Sequence, residues 1–330
     1  MTLPQLGPIS LAELQAPVRD RLDDVTAEMR RMVEEDFPLI SEVNQHLLRM
    51  RGKMFRPTLV LLADQATGGP TERAATFAAV IEVIHLATLV HDDSVDHSTL
   101  RRGMPTINAL FSHQVSVIMG DFLYSRAVVE LVRLGNLDAL RILSRVTTAM
   151  TVGEMRQLLA HEPLAFSEEE YDLLIKAKTA SLMSGACEVG ALEAPMAQRR
   201  ALASFGEKLG MVFQITDDLL DYTADEAMTG KPSGLDLHEH KVTLPLIHAL
   251  PRFTPGERSA LEALMRDPTP SEEAIAAVVE AVRTHGGLDY ARDRAQRLLG
   301  EAEEELALLP DTPARETLRA SLGYVLERRR

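Results

Sequence analysis

Two short acidic motifs are the residues in this sequence with the clearest capacity for chemistry. The first, at residues 92–96, reads D-D-S-V-D, and the second, at residues 217–221, reads D-D-L-L-D. In each motif the first and last aspartates are four residues apart, so on a helix they share one face, with Cβ atoms about 5–6 Å apart. Their charges repel at that spacing, and the C-terminal end of a helix also disfavours anions. A bound cation would relieve both costs, and such oxygen ligands suit Mg²⁺.

Basic residues lie near both acidic motifs. Lys53 and Arg56 are three residues apart at the start of a predicted helix, where backbone amides also favour phosphate. Arg101 and Arg102 follow the first motif, and Lys231 follows the second. Each acidic motif alone could be a solvated helix end, and each basic group alone a surface turn. Together they favour a phosphate group held between metal-bound carboxylates and basic side chains.

The composition limits the class of protein. The 330-residue chain carries 35 Lys and Arg against 49 Asp and Glu, a net charge of −14, and it lacks Trp. We therefore expect no nucleic-acid partner, since duplex binding needs Lys and Arg to displace counterions. The single cysteine, Cys187, excludes an internal disulfide and a cysteine-based zinc site. Without a recognisable signal peptide or transmembrane segment, the chain is expected to be cytoplasmic.

Helical periodicity dominates the sequence, and strand alternation is nearly absent. Apolar residues make up 45% of the chain, enough for a large buried core. We predict an all-α fold in which residues 1–330 form a single large helical bundle and one domain, with 1–35 as an N-terminal helical extension. Capping boxes at Ser167 and Thr254 each mark a helix start. The predicted helices span residues 10–35, 39–50, 54–66, 71–96, 105–112, 114–134, 136–160, 168–191, 197–222, 239–249, 255–266, 271–285, 287–307 and 312–327.

Taken together, the motifs resemble those of the trans-isoprenyl diphosphate synthases (polyprenyl synthetases), in particular the medium- and long-chain all-trans members. The resemblance extends from about residue 40 to the C-terminus. Besides the acidic motifs it rests on G-K-x-x-R-P from residue 52, M-G-D-F-L-Y-S-R-A from 119, G-E-M-R-Q from 153, K-T-A from 178 and G-K-P-S-G-L-D-L from 230. It implies an all-α bundle of the isoprenoid synthase type with a central apolar cavity. His240 stands where the family commonly has glycine, so we expect an altered loop before Lys241.

The resemblance implies a prenyltransferase that joins isopentenyl diphosphate to an allylic diphosphate, either farnesyl or geranylgeranyl diphosphate. It also implies Mg²⁺ as the cofactor, with about three ions per site. The implied metal ligands are Asp92, Asp96 and Asp217. The residues that match the isopentenyl diphosphate site are Lys53, Arg56, His85 and Arg102. The residues that match the allylic diphosphate site are Arg101, Lys178, Thr179, Gln214 and Lys231, of which Lys178, Thr179 and Gln214 are also the expected catalytic residues.

The implied reaction proceeds by ionisation, condensation and elimination. Breaking the allylic C–O bond leaves a carbocation and a diphosphate. Metal ions, lysines and arginines would stabilise the negative charge that develops on this diphosphate. The double bond of isopentenyl diphosphate then attacks the carbocation. A proton is lost, and the released diphosphate is the expected base.

Small side chains before the first acidic motif predict a long product. A growing chain that starts at Asp92 would run back along the helix past Thr88 and Ile84, beside Ala87. In similar enzymes, bulky aromatic residues four and five positions before the first aspartate shorten the product, whereas Thr88 and Ala87 are small. Val128 on the facing helix is a candidate for the floor of the tunnel. We predict about six to ten isoprene units, with a short-chain farnesyl or geranylgeranyl diphosphate synthase as the alternative.

Other interpretations explain fewer of these residues. A metal-dependent HD-type phosphohydrolase would use His85, His91 and Asp92 but would leave the second acidic motif without a role. A regulatory subunit of a two-component synthase typically lacks the acidic motifs, which are intact here. The resemblance also implies a homodimer, for which we predict an interface at residues 105–112 and 114–134. The C-terminal arginines would either form a solvated tail or close over the isopentenyl diphosphate site.

Overall fold

The computed structural model describes residues 9–50, 52–158, 163–223 and 234–327. This part of the chain is all-α, as predicted, apart from one hairpin in which Leu100–Arg101 pairs with Met104–Pro105. The predictions for Lys231 and for the C-terminal arginines lie outside the described residues. The helices are α1 (Leu11–Gln15), α2 (Arg19–Val33), α3 (Pro38–Arg49), α4 (Phe55–Ala66), α5 (Ala74–Val95), α6 (Ile107–Leu110), α7 (His113–Leu134), α8 (Leu137–Leu158), α9 (Glu168–Ile175), α10 (Ser181–Gly190), α11 (Met196–Thr223), α12 (Leu235–His238), α13 (Leu244–Ala249), α14 (Pro255–Leu264), α15 (Glu272–Thr284), α16 (Gly287–Leu306) and α17 (Pro313–Glu327).

Side-chain caps determine where several helices begin. The Ser167 hydroxyl accepts a hydrogen bond from the Glu170 amide, and the Glu170 carboxylate accepts one from the Ser167 amide. Thr254 and Glu257 make the same pair of bonds. Each box satisfies amides that have no partner within the helix. Both predicted capping boxes are therefore confirmed, at the starts of α9 and α14.

Three predicted helices are less continuous than expected. Predicted helix 10–35 is broken by a 3₁₀ turn at Ala16–Val18, where Pro17 has no amide proton to donate. Predicted helix 105–112 shortens to α6, because Pro105 belongs to the hairpin and Thr106 is the N-cap. Predicted helix 239–249 is wrong over its first half, since α12 ends at His238 and α13 begins only at Leu244.

Helix α5 lies at the centre of the bundle. It packs against α2, α4, α7 and α10, and all its residues from Ala74 to Ile84 are buried. By length and composition α5 could cross a membrane, but 72% of its most apolar window is buried inside the fold. A helix that is apolar on all sides is expected in the core of a large protein. The core thus fixes α5, whose C-terminal end carries the first acidic motif.

One hydrophobic cluster runs through the bundle. It includes Leu14 and Val25 near the N-terminus and Leu322 and Val325 near the C-terminus. Within the predicted N-terminal extension, α2 packs on α4, α5 and α7. This continuous core is consistent with a single domain, which stays a prediction.

Close packing between α4 and α10 generates a stability prediction. A Cβ atom at Gly190 would lie 2.3 Å from the carbonyl oxygen of Val60 and 2.8 Å from the Cβ atom of Ala63. We expect Gly190→Ala to lower the free energy of unfolding by about 1–3 kcal/mol, the usual cost of overpacking. Gly300→Ala is the matched control, since a Cβ atom there meets no described residue within 4 Å and alanine favours helix. Urea unfolding compares the two variants, and equal stabilities would contradict this packing.

Candidate active site

A cavity of about 770 Å³ opens beside the C-terminal half of α5. A neighbouring cavity of about 550 Å³ shares Lys178, Thr179 and Gln214 with it and also contains Asp96. The other predicted site residues that line the first cavity are Lys53, Arg56, His85, Thr88, Asp92, Arg101, Arg102 and Asp217. The fold therefore gathers around two joined cavities most of the site residues predicted from the sequence.

The carboxylates of the first acidic motif have two roles: two face the cavities, and one is buried against an arginine. Asp92 lines the first cavity, and Asp96 lines the second. Asp93 is only 4% exposed and accepts hydrogen bonds from Arg101 Nε at 2.8 and 2.9 Å. Burial raises the pKa of Asp92 to about 6, because removal from water disfavours the charged carboxylate. Asp93 thus orients an arginine, while Asp92 and Asp96 face the cavities.

The second acidic motif follows the same division. Asp217 lines the first cavity. Asp218 is 4% exposed and accepts hydrogen bonds from Tyr171 Oη at 2.5 Å and from Gln214 Nε2 at 2.9 Å. Asp221 accepts hydrogen bonds from two backbone amides at the start of α12, each at 3.0 Å. The carboxylate that faces the first cavity is again the first of the motif, and the next one is buried at the edge of the second cavity.

Arg56 and His85 form a buried polar end of the first cavity. The Arg56 guanidinium lies 3.1 Å from His85 Nε2. Burial and the charges of Arg56, Arg102 and Arg101 hold the pKa of His85 well below its usual value. His85 is therefore neutral and accepts this hydrogen bond through Nε2. Arg56 Nε is buried without a partner among the described residues, and an unsatisfied buried donor is costly, so this end suits an anionic ligand.

The short hairpin after α5 places two arginines at the cavity. Arg102 and Gly103 have φ values of 53° and 75°, as required at the centre of a type I′ turn. Arg102 donates a hydrogen bond to the carbonyl oxygen of Met50 at 2.9 Å, whereas Arg101 is held by Asp93. The tight turn thus gives two consecutive arginines separate anchors.

A π-helical turn at Lys176–Ala180 interrupts the predicted helix 168–191. The wider turn lets the adjacent side chains of Lys178 and Thr179 both line the cavities. A glycine on α11 gives the turn room, because a Cβ atom at Gly210 would lie 2.5 Å from the Cα atom of Ala180. The π-helical turn therefore helps to place two consecutive side chains at the cavities.

Glu154 and Gln157 on α8 are site residues that the sequence analysis missed. Lys178 Nζ lies 2.7 Å from Glu154 Oε2 and 3.1 Å from Gln157 Oε1. Both residues belong to the G-E-M-R-Q motif, which was the available signal. Glu82 was also missed; it is 3% exposed and lines the first cavity near Arg56. Glu154 and Gln157 thus orient Lys178, which the sequence analysis did identify, and Glu82 adds negative charge near Arg56 and Arg102.

The carboxylates that face the cavities fit a metal ion bound together with its substrate. Among the residues that the structure describes, no three His, Cys, Asp or Glu side chains converge into a metal site. Asp92, Asp96 and Asp217 offer oxygen donors, the type that hard cations take. Mg²⁺ usually keeps several waters and shares its ligands with substrate phosphates. The donor set therefore fits a magnesium–diphosphate complex better than an ion held by protein alone.

The phosphohydrolase interpretation is not supported by the two histidines it requires. His85 is engaged with Arg56. His91 Nε2 lies 3.2 Å from the carbonyl oxygen of Val117. A Cβ atom at Gly120 would lie 2.2 Å from His91 Nε2, so this glycine makes room for the ring. His91 borders the first cavity, but its Nε2 faces α7, where it also lies 3.4 Å from Asp121 Oδ1.

The apolar end of the first cavity lies between α5, α7, α8 and α10. Its walls include Thr88, Tyr124, Met150 and Leu182. Thr88 is the predicted chain-length residue that lines it. Tyr124, on α7, was not singled out in the sequence, although it lies in the motif that starts at Met119. An aromatic side chain therefore forms part of the wall that Thr88 also lines.

The structure corrects the prediction for Val128. This residue is 39% exposed and is absent from the cavity walls. The inner face of α7 runs through Ala127 and Leu131, and one further residue rotates the side chain by about 100°. Ala87 and Ile84 are buried in the core and do not line the cavity, so their role in chain length stays a prediction.

His240 adopts the backbone that a glycine would adopt. Its φ is 56°, in the left-handed region that is uncommon for residues other than glycine. His240 Nε2 lies 2.8 Å from the carbonyl oxygen of Asp267, a contact that glycine cannot make. Lys241 follows with its amide 2.7 Å from the carbonyl oxygen of Asp236 and lines the second cavity. Histidine at this position therefore keeps the left-handed turn before the lysine and adds a contact with the Asp267 carbonyl oxygen.

The comparisons with known proteins identify a family. The chain matches the polyprenyl synthetase family over residues 37–282. It is 37% identical to the octaprenyl diphosphate synthase of Escherichia coli over 296 residues, which cover 89% of this chain and 91% of that protein.

Two solved structures have the same fold. A decaprenyl diphosphate synthase from Rhodobacter capsulatus superposes with a TM-score of 0.92 at 36% identity, covering 97% of this chain and all of that one. A polyprenyl synthase from Caulobacter crescentus, complexed with calcium and isoprenyl diphosphate, has a TM-score of 0.92 at 33% identity, with 99% of this chain and all of that one covered. The chain therefore belongs to the polyprenyl synthetase family and is a prenyltransferase of the trans-polyprenyl diphosphate synthase type.

Proposed function

We propose that this enzyme uses Mg²⁺ to condense isopentenyl diphosphate with farnesyl or geranylgeranyl diphosphate into an all-trans chain of about six to ten isoprene units. The proposal rests on one cavity that has a charged part and an apolar part. Carboxylates and cations surround its polar part, and Thr88, Met150 and Leu182 line its apolar end. The octaprenyl and decaprenyl diphosphate synthases that resemble the chain support a product in this range. A cytoplasmic location is proposed from the sequence.

The allylic diphosphate is proposed to bind between the two acidic motifs. Asp92, Asp96 and Asp217 would hold about three Mg²⁺ ions, which when bound neutralise charge on the leaving diphosphate. Lys178 and Arg101 add positive charge from the protein side. Glu154 and Asp93 hold these two cations in the free enzyme, so the diphosphate meets preorganised donors.

Isopentenyl diphosphate is proposed to bind at the end formed by Arg56, His85, Lys53 and Arg102. The unpartnered Arg56 Nε offers a donor to its diphosphate. His85 is a poor base here, because its Nε2 already accepts from Arg56 and its pKa is lowered. The proton lost after condensation therefore goes to the released diphosphate.

The proposal is tested by incubating the purified chain with labelled isopentenyl diphosphate, farnesyl diphosphate and Mg²⁺. We expect a ladder of dephosphorylated products that ends at about thirty carbons or more. Product that stops at about twenty carbons or fewer would favour the short-chain alternative. The aromatic side chain of Tyr124 in the cavity wall is the observation that favours that alternative.

Two substitutions at the apolar end should move product length in opposite directions. Thr88→Tyr places a second aromatic ring in the cavity and should shorten the product. Tyr124→Ala removes the existing ring and should lengthen it. Val128→Ala is the matched control, because Val128 does not line the cavity. Chromatography of the dephosphorylated products measures all three, and an unchanged length in both cavity variants would contradict this placement of the tunnel.

Substitutions of the two neighbouring carboxylates in the first motif should change different kinetic parameters. Asp92→Asn removes a proposed metal ligand, so we expect a higher Mg²⁺ requirement and at least about a hundredfold loss of kcat. Asp93→Asn weakens the anchor of Arg101, so we expect a higher KM for the allylic diphosphate with an unchanged Mg²⁺ requirement. Steady-state kinetics at varied Mg²⁺ separates the two. The same Mg²⁺ dependence in both variants would rule out the division of roles.

We propose a homodimer built on the outer faces of α7 and α8. Apolar side chains that are exposed on these helices are Ile118, Val129, Val132, Val152 and Met155. Several exposed apolar side chains on two neighbouring helices favour an interaction site, and self-association through one surface is the commonest assembly. The predicted interface at residues 105–112 and 114–134 covers the α7 part of this surface.

Light scattering tests the proposed dimer. Val129→Glu buries a charge in the interface, so we expect a monomer at concentrations where the wild type is a dimer. Leu308→Glu is the control, since Leu308 is exposed beyond the end of α16 and away from α7 in the sequence. A dimer that persists in Val129→Glu would place the interface elsewhere.

A further inference from the structure

Four polar side chains form a hydrogen-bonded chain that ends at the cavity wall. Tyr171 Oη donates to Asp218 Oδ2 at 2.5 Å, and Gln214 Nε2 donates to Asp218 Oδ1 at 2.9 Å. Thr179 Oγ1 donates to Gln214 Oε1 at 2.8 Å. Tyr171 is 2% exposed and Asp218 is 4% exposed. Both border the second cavity only, whereas Thr179 and Gln214 line both cavities. The chain therefore connects the inner side of α9 to the proposed substrate site.

The donors and acceptors in this chain fix the orientation of the Gln214 amide. An ionised carboxylate only accepts hydrogen bonds, so Asp218 must accept its hydrogen bond from the amide nitrogen of Gln214. The carbonyl oxygen of Gln214 must then face the other way, where it accepts the Thr179 hydroxyl proton. Tyr171 supplies a donor to the second oxygen of Asp218, and such bonds to a charged group are strong.

We infer that Tyr171 and Asp218 are positioning residues, which hold the Gln214 carbonyl oxygen and the Thr179 hydroxyl oxygen as acceptors at the reacting part of the cavity. The inference rests on the proposed function and deepens it. An N–H of Gln214 and the O–H of Thr179 are already used by protein acceptors. The Thr179 oxygen therefore keeps two lone pairs, and the Gln214 oxygen, which accepts from Thr179, keeps one. Oriented oxygen dipoles stabilise the positive charge that develops on the allylic group in the transition state.

The first test removes only the hydroxyl group at the buried end of the chain. Tyr171→Phe should lower kcat about tenfold, with the KM values for both diphosphates within about twofold of wild type. Tyr290→Phe is the matched control. Its hydroxyl donates to Glu168, also on α9, at 2.7 Å, so this variant loosens α9 without touching the chain. We expect the control to keep wild-type kcat.

The second test reverses the polarity of the inner hydrogen bond at constant net charge. Asp218→Asn introduces a donor that can turn the Gln214 amide round, and Gln214→Glu places two carboxylates against each other. Each single variant should therefore lose activity, by about tenfold or more. The double variant Asp218→Asn/Gln214→Glu restores one donor and one acceptor, so it should be more active than either single variant. A residue that only supports the fold would not produce such rescue.

The outcomes separate this inference from the function on which it rests. The assays use farnesyl diphosphate, isopentenyl diphosphate and Mg²⁺ at pH 8, with thermal unfolding as the check that each variant is folded. A wild type that makes no condensation product would overturn the proposed function. An active wild type with Tyr171→Phe at the same kcat as Tyr290→Phe would overturn the positioning role alone. A double variant no more active than its singles would overturn the assigned amide orientation.

Discussion

Both acidic motifs depend on burying one carboxylate beside another that faces the cavity. Asp93 and Asp218 are each 4% exposed, and a buried charge is tolerated only with strong partners. Asp93 takes its hydrogen bonds from Arg101, and Asp218 takes them from Gln214 and Tyr171. The groups that compensate the burial therefore include cavity-lining residues. The orientation of an arginine and an amide at the site is set by the desolvation of their neighbours.

Helix geometry explains why the motifs need consecutive aspartates. Successive residues on a helix point about 100° apart, so when Asp92 and Asp217 face the first cavity, Asp93 and Asp218 point away from it, Asp218 toward the second cavity. Helices α5 and α11 each carry such a pair, although α5 is buried on nearly all sides and α11 is amphipathic. The shared element is thus the local spacing of the carboxylates.

The sequence predicted the all-α class, most helix positions and most of the residues that line the cavities. It did so because helical periodicity and the acidic and basic motifs are local signals. It could not show that Tyr124 forms part of the cavity wall or that Val128 faces outward. A shift of one residue along α7 turns a side chain by about 100°, and the sequence does not fix that position accurately enough.

The sequence also could not predict which residues hold the site residues in place. Glu154 and Tyr171 belong to helices far along the chain from the first acidic motif and act through contacts made only in the fold. The π-helical turn at Lys176–Ala180 has no periodicity of its own within a helical pattern. His240 was expected to disturb its loop, but its ring makes a contact with Asp267 while its backbone takes the left-handed form.

We propose that the carboxylates complete a metal site only when a diphosphate is bound between them. Isothermal titration calorimetry with Mg²⁺, with and without a non-ionisable thiolo analogue of farnesyl diphosphate, tests it directly. We predict weak Mg²⁺ binding to the free enzyme and strong binding of about three ions once the analogue is present. Equally strong binding without the analogue would contradict the account, since it would require a protein-only site among these side chains.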